Sequence, residues 1–241
     1  MAMNYRDKIE NIFYLILKLV RYNLKIIFAN KFVYFLIAAV IFFLLVTILN
    51  LASADADPNE GLIYYWLLVP GLLLVFYPTV FGIQNDVDTR MIEILFGIPN
   101  YRYKVWLIRM ALIYALVAVI LIILAAISSL ALVPISVMKM VFQLMFPIFF
   151  VGCAAFMVST LIRNGNSTAV VIIVMGIFFW IGTGFLPQKF NLFLNPFSMP
   201  SDVNEVVWTD MTFNNRIYIF VATIVWLLMG LIMLQKREKF I

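Results

Sequence analysis

The sequence predicts an all-α integral membrane protein with six transmembrane helices. Of its 241 residues, 65% are hydrophobic and only 12% are charged, about half the roughly 25% that is usual in soluble domains. A helix needs about 20 apolar residues to cross the roughly 30 Å hydrocarbon core of a bilayer. Six charge-poor runs of this length occur, at 32–51, 61–84, 105–127, 140–162, 168–186 and 217–234.

Basic residues predict the orientation of these spans. Counting residues at the edges of spans, 14 of the 17 lysines and arginines lie before the first span, between the second and third, between the fourth and fifth, or after the sixth. Cytoplasmic segments carry such an excess, so we expect both termini in the cytoplasm. The net charge of +5 is then explained by membrane lipid at the inner surface, and it does not indicate nucleic acid as a partner.

Residues 1–31 predict a cytoplasmic helix that lies along the membrane. Lys18, Arg21 and Lys25 recur at helical spacing, while apolar residues gather on another face, the pattern of an interfacial amphipathic helix. Either a plain anchor or a mechanical elbow fits this pattern. The Ala-x-Ala pattern in LASA at 51–54 resembles a signal cleavage site, but the apolar run before it is longer than a signal core, so we expect the first span to be retained.

The segment 187–215 is predicted to be external, and it is long yet still apolar. It mixes prolines with aromatic residues, and lipid cannot satisfy the backbone of an irregular segment. We therefore expect it either to pack on protein or to lie at the outer interface, and to contain short external or partly re-entrant helices. No internal repeat or linker divides the chain, which favours one membrane domain over 1–241.

Several kinds of chemistry are excluded by the composition. The chain has no histidine, one cysteine, and no lysine followed by serine or threonine, so it has no P-loop for ATP and no expected catalytic residues or metal site. We expect that it is not an enzyme by itself. No ionisable residue lies in the interior of a predicted span, which argues against ion coupling; Arg109, in the first turn of the third, is expected to reach the headgroups.

The segment 85–104 interrupts the apolar pattern and predicts a short cytoplasmic helix at 89–98. Asp86 or Asp88 would cap its start, and Gly97 with Pro99 would end it. Apolar residues at Met91, Ile94 and Leu95 share one face. That face suits either lipid or the groove of a cytoplasmic protein; the acids near its start favour the protein, since the inner leaflet is anionic.

The stretch MIEILFGIPNYRYKVW, with Asp88 and Arg90 before it, resembles the cytoplasmic segment between the second and third spans of ABC type 2 transporter permeases. The matching positions are Glu93, Ile94, Leu95, Pro99 and Arg102. The sequence departs from the family at Arg90 and Met91, where Gly-Thr is common. NPFSMPSDVNEVVW resembles the family's Asn-Pro segment after the fifth span through Asn195 and Pro196.

The resemblance implies a permease subunit of an ATP-driven exporter in the bacterial cytoplasmic membrane. Two copies of a separate ATPase, which would bind ATP and Mg, would drive it, and a second permease chain, identical or different, would pair with it through spans one and five. The helix 89–98 would be the coupling helix. The residues expected at that contact are Asp88, Arg90, Met91, Glu93, Ile94, Leu95, Pro99 and Arg102.

No sequence motif identifies the residues that would line a path for a substrate. By resemblance, spans one, two and five border it, and Tyr77, Thr79 and Thr183 are polar positions that either face it or serve helix packing. The apolar, aromatic composition favours an amphiphilic or lipid-like substrate, and the resemblance implies that it is moved outward. Two alternatives stay open: a membrane scaffold that docks a cytoplasmic partner, and a mechanical ABC subunit that moves nothing through the bilayer.

Overall fold

The computed structural model describes residues 32–53, 58–88, 101–182, 184–185 and 187–234, without the side chains of 101–104. These residues form helices and connecting turns, with no strand among them. The helices are α1 (Phe32–Ala52), α2 (Glu60–Val80), α3 (Gly82–Asp88), α4 (Tyr101–Ala131), α5 (Val137–Ile162), α6 (Gly165–Gly182) and α7 (Glu205–Leu234), with a 3₁₀ turn at Gln188–Phe190.

Six helices in the described part of the chain are long and apolar enough to cross a membrane, as the sequence predicted; α2 and α3 together supply one of them. Successive spans run in opposite directions, so the bundle has two ends. We call them the Asp86 end, where α3 finishes, and the Asn195 end, where the connection from α6 to α7 lies. Residues 1–31, with the predicted interfacial helix, lie outside the described residues.

Helix α5 is the centre of the bundle. It packs against α2, α4, α6 and α7, while α1 packs mainly on α2. In the most apolar 18-residue stretch of α5, 78% of the residues are buried. Glycines allow close crossings, because a Cβ at Gly152 would lie 2.6 Å from the Tyr114 hydroxyl and one at Gly230 would lie 2.7 Å from the Phe156 ring. The helices therefore pack through small residues, as membrane helices commonly do.

The turn between α5 and α6 is tight, as the short run RNGN at 163–166 predicts. Arg163 ends α5 in the left-handed conformation, with φ of 60°, and its N–H donates to the Ser159 carbonyl. The Asn164 side chain then accepts a hydrogen bond from the Ser167 N–H at 3.0 Å, which caps the start of α6. Only two residues separate the helices, so they run antiparallel.

The connection from α6 to α7 packs on protein, which is one of the two placements that its apolar composition predicted. Leu192, Phe193 and Leu194 are buried, and the Asn215 amide donates to the carbonyls of Lys189 and Asn191 at 3.2 and 2.8 Å. The expected short helices reduce to one 3₁₀ turn. Helix α7 begins at Glu205, twelve residues before the predicted start at 217, so the last third of the segment 187–215 is helical.

Candidate functional site

The chain breaks its helix at Phe81, between α2 and α3. Pro78 has no N–H to donate within α2, and Phe81 adopts φ −98° and ψ −9° while its N–H donates to the Tyr77 carbonyl. The Ser159 hydroxyl of α5 donates to the Val80 carbonyl at 3.1 Å. The break is thus held by a specific contact from the central helix. The sequence predicted one span here, and α2 and α3 together supply it.

Helix α3 is attached to the turn that joins α5 and α6. The Gly165 N–H donates to the Gln84 side-chain oxygen at 2.6 Å. Gly165 also lies directly against the Phe81 ring, where any Cβ would collide with ring carbons. The first residue of α6 must therefore be glycine for the break and the turn to approach this closely.

Helix α3 is attached to α4 by a buried ion pair. Arg109 Nη1 lies 2.7 Å from Asp86 Oδ2, and both side chains are about 95% buried. The Arg109 guanidinium lies 4.5 Å from the centre of the Trp106 ring, and Trp106 packs on Phe156 of α5. Arg109 is therefore held inside the bundle, and the expectation that it reaches the headgroups was wrong. Asp86 lies within α3, and the predicted cap by Asp86 or Asp88 concerns a helix that lies outside the described residues.

These contacts define a junction at the Asp86 end, which we call the α3 junction: Phe81, Gln84, Asp86, Arg109, Ser159 and Gly165. It joins α3 to α4, to α5 and to the start of α6. The segment 89–100 connects α3 to α4. No cluster of three metal-binding side chains occurs in the described ranges.

The predicted coupling residues lie mostly outside the described residues. Asp88 is the last residue of α3 and is exposed, with its carboxylate 3.5 Å from the Gln84 amide nitrogen. Arg102 lies on α4, but its side chain is not among those described. The residues at 89–100 also fall outside them: Arg90, Met91, Glu93, Ile94, Leu95 and Pro99.

The residues predicted for the substrate path are buried in helix packing where the structure describes them. Tyr77 stacks on Phe81 of its own chain segment and lies 5.1 Å from the ring of Phe35 of α1. The Thr79 hydroxyl donates to the Val75 carbonyl within α2 at 2.7 Å. Thr183 lies outside the described residues. Neither Tyr77 nor Thr79 lines the cleft between α4, α5 and α7.

The Asn-Pro segment fixes the connection to the bundle. The buried Asn195 amide donates to the Gly61 carbonyl at 2.7 Å, and its oxygen accepts from the Phe197 N–H at 3.0 Å. The Pro196 carbonyl accepts from the Trp208 indole N–H at 3.1 Å. These two residues therefore join the start of α2 to the start of α7.

One polar centre was missed by the sequence analysis. Arg216 is 5% exposed and lies inside α7; it donates to the Gln143 side chain at 2.8 Å, to Asn215 at 2.9 Å and to the Leu194 carbonyl at 3.1 Å. A search for charge-free runs starts the last span after Arg216 and assigns it to a loop. The amphipathic pattern of residues 205–216 was the signal that could have placed it in a helix.

The fold defines the class of the protein: a multi-pass, all-helical membrane protein with six candidate spans. No protein-family model matches the sequence, and no match was found among curated proteins or solved structures. The relation to ABC type 2 permeases therefore stays a prediction that depends on the residues quoted above.

Proposed function

We propose that this chain is the membrane-spanning subunit of an ATP-driven exporter, moved by a separate ATPase through the helix at 89–98. The observation that carries the proposal is the α3 junction. The segment expected to contact the ATPase is continuous with a short helix. Gln84 attaches that helix to α6 and Asp86 attaches it to α4, while Ser159 of α5 holds the break just before it.

The junction suits the transfer of work. A chain without a phosphate-binding motif must receive the energy of ATP through a contact surface, and closure of two ATPase subunits would displace the segment 89–100. Helix α3 is seven residues long, about 10 Å, and the break at Phe81 is the point where it would turn relative to α2. The ion pair would carry that movement into α4, and the contact between Gln84 and Gly165 would carry it into α6.

The exposed surface suits an amphiphilic substrate and a second permease chain. In the most apolar 18-residue stretches of α1, α6 and α7, only 22%, 17% and 22% of the residues are buried. Most side chains of these helices would therefore contact lipid or another chain. Pairing of two such chains through α1 and α6 would build an apolar path between them. A lipid-like substrate moved outward fits such walls better than an ion does.

The test is purification of the tagged chain from its native membrane in mild detergent, with identification of its partners and an assay of ATPase activity. We expect a stoichiometric partner that carries a P-loop, two copies for each pair of permease chains, and ATP hydrolysis by the complex. A partner without a nucleotide site would refute the exporter and leave a membrane scaffold.

A further inference from the structure

A large cleft opens on the side of the bundle between α4, α5 and α7. Its volume is about 1020 Å³, and it extends from Lys139 and Pro196 at the Asn195 end to Phe149 and Phe220 deeper along the helices. We call it the lateral cleft. Phe142, Phe213 and Phe220 in its walls are each more than half exposed, so the cleft is open to whatever surrounds these helices.

The lateral cleft is positively charged at one end. Lys139 and Arg216 both line it, and no acidic residue does. Asp210, the acidic residue of α7 nearest to Arg216 in sequence, lines a separate pocket together with Lys189. The described hydrogen-bond partners of Arg216 are neutral groups, and burying a cation without an anion is costly.

Two polar groups near this charge still have capacity to bind a ligand. A guanidinium has five N–H donors, and Arg216 uses four of them in the described hydrogen bonds. The fifth, on Nη1, can donate to a ligand. The hydroxyl of Thr212, one helical turn before Arg216, is buried with no hydrogen-bond partner in the described structure. Thr212 also lines the cleft and is 9% exposed. Buried polar groups normally have hydrogen-bond partners. Arg216 and Thr212 can therefore both donate a hydrogen bond to an acceptor on a ligand in the cleft.

Below the charged end, the walls of the cleft are apolar and smooth. Phe142, Phe146 and Phe149 follow one face of α5, and Ala111, Ala115 and Ala118 follow the facing side of α4. The alanines leave room between the helices. From Lys139 to Phe149 the wall is about 15 Å long, parallel to the helix axes and therefore to the acyl chains of a bilayer.

We propose that the lateral cleft binds an anionic phospholipid, with its phosphate at Arg216, Thr212 and Lys139 and an acyl chain along the phenylalanines of α5. The charge and its position favour this occupant over others. A cationic group at the end of the apolar wall matches the phosphate of a lipid headgroup in the leaflet at the Asn195 end, and Arg and hydroxyl groups are standard phosphate donors. This binding goes beyond the proposed export function, because it requires no ATPase.

The experiment is native mass spectrometry of the purified full chain, with any partner that accompanies it, titrated with phosphatidylglycerol or with phosphatidylcholine of the same acyl chains. We expect one tight site that prefers phosphatidylglycerol about thirtyfold, on the order of 2 kcal/mol for two basic residues. Lys139→Gln should reduce that preference several-fold, and Lys139→Gln with Arg216→Gln should abolish it. Glycerol phosphate, which has no acyl chain, should not displace the lipid.

Two further variants separate the cleft from general effects. Ala115→Trp fills the cleft without changing charge and should remove the tight site for both lipids. Lys189→Gln removes a cation at the same end of the bundle but outside the cleft, and it should leave the preference unchanged. Arg216→Gln alters a buried cluster and can unfold the chain. If the double variant does not fold, Lys139→Gln and Ala115→Trp alone test whether the lipid binds in the cleft.

Equal binding of both lipids, or a preference that survives Lys139→Gln and Ala115→Trp, would overturn the proposal. So would a lipid-independent dimer that Ala115→Trp dissociates, because the cleft would then be occupied by a second copy of the chain.

Discussion

The ion pair between Asp86 and Arg109 offers the sharpest prediction about the α3 junction. Asp86→Asn keeps the size of the side chain but leaves the Arg109 charge buried, with its nearest anion removed from a distance of 2.7 Å. Breaking one side of a buried pair costs about 3–5 kcal/mol. For a chain of this length each kcal/mol corresponds to about 2–4 °C, so the melting temperature should fall by about 6–20 °C.

The assay is thermal unfolding in detergent, followed by size-exclusion chromatography of the remaining folded protein. A double variant, Asp86→Leu with Arg109→Met, replaces both charges with apolar groups and should recover most of the lost stability, because no unpaired charge remains. The exposed Asp88→Asn serves as the matched control and should change the melting temperature by less than about 2 °C. If Asp86→Asn unfolds at the wild-type temperature, or if the double variant is less stable than either single variant, the pair does not hold α3 as described.

Two further predictions test the packing at each end. Gly165→Ala places a Cβ against the Phe81 ring and should cost about 1–3 kcal/mol, measured by the same unfolding assay; Gly176→Ala, which meets nothing within 4 Å, should be neutral or stabilising by up to about 1 kcal/mol, and equal effects at both positions would contradict the close approach. Asn195→Ala removes two hydrogen bonds of a buried amide and should cost about 1–3 kcal/mol and increase proteolysis in 187–204. Asn214→Ala loses only an exposed bond to Asp210 and should resemble wild type, so similar proteolysis of the two variants would count against the anchoring role of Asn195.

The sequence predicted the elements that follow from hydropathy and turn chemistry. The six spans are confirmed by helices of the expected length, because a bilayer-spanning segment must be apolar over a fixed distance. The tight turn after α5 is also confirmed, since Asn164 caps α6 and Gly165 permits the contact with Phe81. The apolar connection before α7 packs on protein because its buried carbonyls need donors, which Asn215 supplies.

The polar interior could not be predicted in the same way. Whether Arg109 meets lipid headgroups or Asp86 depends on the rotation of α4 relative to α3, which hydropathy does not determine. Arg216 was placed outside the last span because a charge was taken as its boundary, yet neutral partners from three other parts of the chain, among them Gln143 and Leu194, accept its hydrogen bonds inside the bundle. Long-range partners of this kind are set by tertiary packing and leave no local pattern.

The central claim is that the helix at 89–98 receives the movement of an ATPase, and Leu95→Asp tests it most directly. The variant and the wild-type chain would be purified from native membranes, and the amount of accompanying ATPase compared. A charge in an apolar anchor should weaken the contact by about 2 kcal/mol or more, about thirtyfold, while membrane insertion stays intact. Leu130→Asp, at a 90% exposed position at the Asn195 end, should keep the partner. Normal association and ATP turnover with Leu95→Asp would contradict the claim.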